Sequence, residues 1–257
     1  MTADHVASET IFGDAPIFVF CDHASNAMPD DLKSLGLPDD LLETHIAWDI
    51  GAGALSEAIA RRLRGRVFQC RFSRLIIDPN RADTAHDLIP TVSDQIPIPG
   101  NQMLTNSDRL WRLERFFSPY HRRLRRALDQ ASQERDPFVV SIHSFTRRLM
   151  GAGTDRPWPI GLLWREDEES ARTTIAALTR AAGWPIGDNE PYDARVFNYT
   201  VDRHVGPRGL RHLTIEVRQD TICDADGVEK MSAVIAAAIA ETAFAPAARA
   251  ANDGGPI

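Results

Sequence analysis

The feature that most constrains this chain is a set of short, almost unbroken apolar runs: Pro16–Cys21, Val67–Phe72, Leu75–Asp78, Phe138–His143, Ile160–Trp164 and Leu213–Val217. A strand with one face in water alternates apolar and polar residues, whereas a strand covered on both faces need not. These runs predict a sheet with helices on both sides. Helical spacing recurs between them, at Ala52, Leu55, Ile59 and Leu63, then at Leu110, Leu113, Phe117, Tyr120, Leu124 and Leu128. Ile175, Leu178 and Ala182 mark another helix ended by Gly183, and an alanine-rich helix runs from Val228 to Phe244. Ser118-Pro119 reads as an N-cap and first-turn proline, predicting a kink or two abutting helices. Strands alternating with helices give an α/β class. With no linker-like composition, one domain is expected over residues 1–257, its core about 16–244 and both termini loosely ordered.

Composition removes several function classes. The 257 residues carry 29 Lys plus Arg against 36 Asp plus Glu, a net charge of −7 that gives no global case for nucleic-acid binding. Arg109, Arg112, Arg115, Arg122, Arg123, Arg125 and Arg126 crowd one helical region, expected to be a solvated face paired with acids. Cys21, Cys70 and Cys223 are sparse and lack CxxC spacing, which suits a reducing compartment, and the first two are expected as buried thiols. No signal-peptide pattern and no apolar run of membrane-spanning length is present, so a soluble cytoplasmic protein without a membrane partner is expected. Its oligomeric state is not readable. Residues 79–106 and 184–210, rich in Pro, Gly, Asn and Asp, are expected to be functional loops.

Ligands of open α/β sheets bind beyond the carboxyl ends of strands, so the polar residues that follow each run matter most. Pro16–Cys21 gives way to Asp22-His23-Ala24-Ser25-Asn26, and Phe138–Ile142 runs into His143-Ser144. Along Leu213–Arg218, Thr214, Glu216 and Arg218 share one face. Two histidines and a glutamate so placed suit a zinc site with a general base, although a lone strand-end histidine is more often a hydrogen-bonded structural residue. Arg74 and Arg81 bracket an apolar segment ending Asp78-Pro-Asn80-Arg81, and the guanidinium fork matches an anionic substrate. Ser144 lacks a Gly-x-Ser-x-Gly elbow, and Gly151-Ala-Gly153 lacks the rest of a dinucleotide motif.

Together these segments resemble the N-formylglutamate amidohydrolase family. The resemblance runs from about residue 16 to about residue 240. It is carried by Asp22–Asn26 with Pro29, His45–Ala52, Ser73–Arg81, Ile142–Thr146, Gly187–Tyr192, Asn198–Thr200 with His204, and Ile215–Asp220. It implies a fold related to zinc carboxypeptidases and aspartoacylase-like enzymes: a single three-layer α/β domain with a mixed, mostly parallel sheet. It also implies a zinc-activated water. His23 and His143 match the zinc-binding histidines, Glu216 the water-activating carboxylate, and Arg74, Asn80 and Arg81 the residues that hold a substrate carboxylate. The carboxypeptidase pattern places a glutamate three residues after the first histidine, where this chain has Asn26. Asp49 is therefore expected as third ligand, with Asp22, Glu43 and His45 as alternatives and a helix N-cap as the ordinary use of Asp49. Asn189, Tyr199 and His204, with Glu190 and Tyr192, border the expected site as possible oxyanion donors or loop-packing residues. The implied partner is a small anionic N-acyl amino acid. Three other functions stay open: zinc hydrolysis of another N-acyl amino acid, short peptide or cell-wall amide; a metal-free anion-binding protein; and nucleic-acid binding through the arginine-rich helix.

Overall fold

A computed structural model describes residues 5–151 and 154–244. Its strands are β1 (Ala7–Ile11), β2 (Ile17–Cys21), β3 (Arg66–Cys70), β4 (Val92–Ser93), β5 (Ile96–Pro97), β6 (Phe138–Phe145), β7 (Ile160–Leu163), β8 (Ile186–Asp188) and β9 (His212–Arg218). The helices are α1 (Asp39–Leu42), α2 (Ala52–Arg62), α3 (Asn106–Arg112), α4 (Ser118–Glu134), α5 (Glu168–Ala182), α6 (Tyr199–His204) and α7 (Ala225–Ala243). Seven strands form one sheet in the order β1-β3-β2-β6-β9-β7-β8, while β4 and β5 make a separate hairpin. The four central strands β3, β2, β6 and β9 run parallel, β1 pairs antiparallel to β3, and β7 pairs antiparallel to β9 but parallel to β8. This is a mixed, mostly parallel sheet in a single α/β domain.

The unbroken apolar runs have a simple cause. Along β2, Ile17, Val19 and Cys21 pack into a cluster with α2, α5 and α7. Phe18 and Phe20 face the opposite cluster, with Phe116, Phe117, Tyr120 and Leu124 of the α3–α4 region and Val201 of α6. Both faces are dry, so no position in β2 is left for a polar residue. Cys21 and Cys70 are buried as expected and Cys223 is exposed. Among the described residues, no helix is long and apolar enough to cross a membrane.

Several expectations need correction. Leu75–Asp78 is a turn, not a strand, because its apolar side chains serve different clusters: Leu75 joins Leu35, Ile46 and Ile98, while Ile76 and Ile77 join the α4 side. Ser118 is not an N-cap and no break occurs there. Residues Leu113–Phe117 form a π-helical turn, with the Ser118 N–H bonding Leu113 O, and this wider turn carries the helix past Pro119. The chain before residue 16 is not loose at 7–11, where β1 pairs with β3 as an edge strand. Only Ala7 of its mostly polar sequence, Ala7-Ser-Glu-Thr-Ile11, is buried, so it lacks the double-sided apolar signature. The tail beyond 244 and Gly153 lie outside the described residues. Arg112 is not solvated. It is buried and donates to Ile76 O at 2.8 Å, Asn101 Oδ1 at 2.7 Å and Gly100 O at 3.1 Å, buttressing the 73–81 turn.

Candidate metal centre

Parallel strands align their carboxyl ends, and β2, β6 and β9 deliver the central side chains there. His143 of β6 is the register partner of Glu216 on β9. His23 follows β2 by two residues, and its carbonyl accepts from the Asp49 N–H at 3.0 Å, tying residues 44–50 to the strand end. Gly51 then turns the chain into α2 at φ 78°, where an added Cβ would lie 2.2 Å from Ile222 O. Only glycine fits both conditions. Gly51 thus takes the N-cap place of α2, and the Asp49 carboxylate is released for the site.

That carboxylate is the hub. Nδ1 of His143 lies 2.8 Å and Nδ1 of His23 lies 3.4 Å from its Oδ2, and Arg74 donates to its Oδ1 at 3.4 Å. The two imidazole rings meet edge to face with centroids 5.0 Å apart. On its far side, Nε2 of His23 is 2.8 Å from Oδ1 of Asp78, whose Oδ2 accepts from Arg74 at 2.6 Å. His23, Asp49 and His143 are all buried, and each offers a ligand atom within 4.8 Å of the others. Two imidazoles and one carboxylate, converging from separate segments, form a donor set that suits zinc with an open coordination position.

Electrostatics follow from this crowding. Burial works against ionising Asp49, yet the His23 charge and the hydrogen bond with His143 hold its carboxyl well below the usual range. Burial likewise lowers the His143 imidazole, but the bond to Asp49 and the charges of Asp49, Glu216 and Asp22 push it up to about 9. Burial, opposed by His143 and reinforced by Asp49, raises Glu216 to about 7. Its Oε2 is buried without a hydrogen-bond partner.

A cavity of about 140 Å³ opens over these groups, lined among others by His23, Asp49, His143, Glu216, Thr214 and Tyr192. Arg74, Asn80 and Arg81 also line it. Arg74 is engaged with Asp78 and Asp49. Asn80 Oδ1 accepts from the Thr200 N–H at 3.0 Å, and Arg81 donates to Asp87 at 2.9 Å while its guanidinium stacks over Phe197. Ser144 is occupied structurally, its hydroxyl donating to Ile50 O at 2.8 Å.

Other candidates fall elsewhere. Asn26 donates to Leu42 O and to Glu43, away from the histidines, and His45 pairs with Asp94 at 2.9 Å. Asp22 lies behind His143, with Oδ2 3.7 Å from Nε2. Of the loop residues, Asn189 accepts from the backbone of Trp164 and Ala194, and His204 stacks on His121 with nitrogens 2.8 Å apart. Neither lines the cavity, nor does Tyr199. Their polar atoms are consumed by loop and helix packing. Tyr192 does line it, its hydroxyl accepting from Arg156 at 3.1 Å. Its loop sits tight because Gly161 and Gly187 let Glu190 O approach, at 1.9 and 2.6 Å from where Cβ atoms would stand. In the sequence, Asp78 is marked by its place four residues after Arg74 and by the Asp78-Pro-Asn80-Arg81 segment.

The sequence model of the N-formylglutamate amidohydrolase family matches residues 15–223. The chain belongs to this family. A solved gene product of Agrobacterium tumefaciens is similar to it at 28% identity and a TM-score of 0.87, over 93% of this chain and 95% of that one. The N-formylglutamate amidohydrolase of Ralstonia eutropha shares the fold at 20% identity and a TM-score of 0.71, over 93% and 97% of the two chains. Curated proteins offer no match. The family match includes every segment that builds the centre, from the end of β2 to the end of β9.

Proposed function

We propose that this amidohydrolase is zinc-dependent and removes a formyl or related acyl group from the nitrogen of an acidic amino acid. The convergence of His23, Asp49 and His143 carries the reading, because buried imidazoles and a carboxylate sharing one focus beneath an open cavity are what such an ion requires. Bound there, zinc supplies Lewis acidity that activates water and polarises the acyl carbonyl.

The protein's own groups do the rest. Glu216 stands beside His143 with an unpartnered Oε2 and takes the proton from the attacking water. It then returns that proton to the departing amine nitrogen, a two-way transfer for which an affinity for protons near neutrality is suited. Arg81 and Asn80, which also line the cavity, hold the substrate carboxylate and so fix the amide over the centre. Arg74, pinned between two carboxylates, supports the ligand Asp49 and the His23 partner Asp78 before it contributes to substrate charge. Tyr192 is placed to donate to oxygen charge developing on the acyl group. Steady-state hydrolysis of N-formylglutamate by zinc-loaded protein, with N-acetylglutamate, N-formylleucine and a cell-wall amide as comparisons, tests the reading. A preference for acyl derivatives of acidic amino acids supports it, and equal rates on all four contradict a role of Arg81 in holding the side-chain carboxylate.

A further inference from the structure

Each imidazole of the centre faces Asp49 with Nδ1, and each turns Nε2 toward a different buried carboxylate. For His23 that is Asp78, already in hydrogen-bond contact and backed by Arg74. For His143 it is Asp22, whose Oδ2 lies 3.7 Å from Nε2. That separation is beyond a hydrogen bond. Yet Asp22 Oδ2 and His143 Nε2 are both buried, and among the described residues neither atom makes a hydrogen bond, although the Thr200 side chain also lies near the Asp22 carboxylate. Buried polar atoms left unpaired are costly, so two of opposite character facing one another point to one unmade bond. The Asp22 side chain is fixed from behind, since Tyr120 of α4 donates its hydroxyl to Oδ1 at 2.5 Å. Tyr120 is itself fully buried among Phe68 and Phe72.

We infer that Asp22, anchored by Tyr120, is a positioning residue that accepts the Nε2–H of His143 and thereby keeps the Nδ1 lone pair aimed at the metal. The proposal rests on the zinc reading above. An imidazole has one lone pair when neutral, and whichever nitrogen holds the proton is set by the acceptor available to it. Two outer carboxylates, Asp78 for His23 and Asp22 for His143, therefore select the same tautomer at both rings. The α4 helix, packed on one face of the sheet, reaches the centre through Tyr120.

The test is a zinc titration of metal-stripped wild type, Asp22→Asn and Tyr120→Phe, with the thermal midpoint of each metal-free protein measured alongside. Asparagine keeps the shape and an acceptor for Tyr120 but offers an N–H toward His143, favouring the wrong tautomer. Zinc affinity is expected to fall about 10- to 100-fold in Asp22→Asn, the range known for lost outer partners of ligating histidines. Tyr120→Phe should weaken zinc several-fold through a looser Asp22. Affinity in Asp22→Asn equal to wild type overturns the proposal while leaving the zinc reading intact. Wild type that binds no zinc overturns the zinc reading, and this proposal with it. If Asp22→Asn does not fold, Tyr120→Phe decides: unchanged affinity there is also contradictory.

Discussion

His143 and Glu216 occupy paired positions on adjacent parallel strands, so an imidazole that faces Asp49 and an unpartnered carboxylate stand side by side at the cavity floor. This adjacency separates two jobs by strand. One side chain belongs to the ligand set and the other is left free to move protons. Replacing Glu216 by Gln should therefore leave zinc content unchanged and lower kcat by about 10²- to 10⁴-fold, the usual span for a general base. Metal analysis beside steady-state kinetics checks it; loss of zinc with loss of rate would make Glu216 a ligand.

The two arginines of the 73–81 turn should behave differently. Arg81 lies at the cavity wall with its side chain 21% exposed, so Arg81→Ala should raise KM by about 10- to 100-fold, matching a lost hydrogen bond to a charged partner. Arg74→Ala instead strands Asp78 and Asp49. Breaking a buried pair costs several kcal/mol, reduced here to about 2 kcal/mol by the partial exposure of Arg74. A drop of about 5 °C in the thermal midpoint should follow. Equal effects of the two substitutions on KM and stability would contradict this division.

Acid should destabilise the α4–α6 contact. Burial, with Arg203 and Arg208 nearby, lowers His204 to about 4, and burial with His204 lowers its partner His121 well below the usual imidazole range. Both are neutral when folded and protonate near 6.5 when unfolded, so the unfolded chain binds more protons in between. Stability is fully present above about pH 6.5 and is lost as pH falls toward 4, by up to about 3 kcal/mol for His204. Denaturant unfolding of wild type and His204→Gln across this window should show a flatter profile for the variant. Parallel profiles would count against the pair.

The sheet was legible because dry strands write themselves as unbroken apolar runs, and His23, His143 and Glu216 were legible because each stands where such a run ends. Asp49 could be reached only by noting that Asn26 is a poor ligand, since its release from helix capping depends on Gly51 packing against Ile222. Leu75–Asp78 reads as a strand because three consecutive buried apolar residues satisfy either geometry. The closing of Arg74 and Asp78 on each other across one turn is tertiary in origin and rests on Arg112 and Asn101 beneath. Tyr192 and His204 both fall in the 184–210 stretch that reads as loop, although His204 ends α6, and nothing local distinguishes the residue facing the cavity from the one facing α4.

The most direct measurement of the central claim is calorimetric zinc titration of the metal-stripped chain and of its Asp49→Asn variant. One tightly bound equivalent in the wild type, with loss in the variant greater than the 10- to 100-fold typical of an outer partner, is the outcome expected of a ligand. Absence of stoichiometric zinc in the wild type, or equal affinity in both proteins, would contradict the three-residue centre.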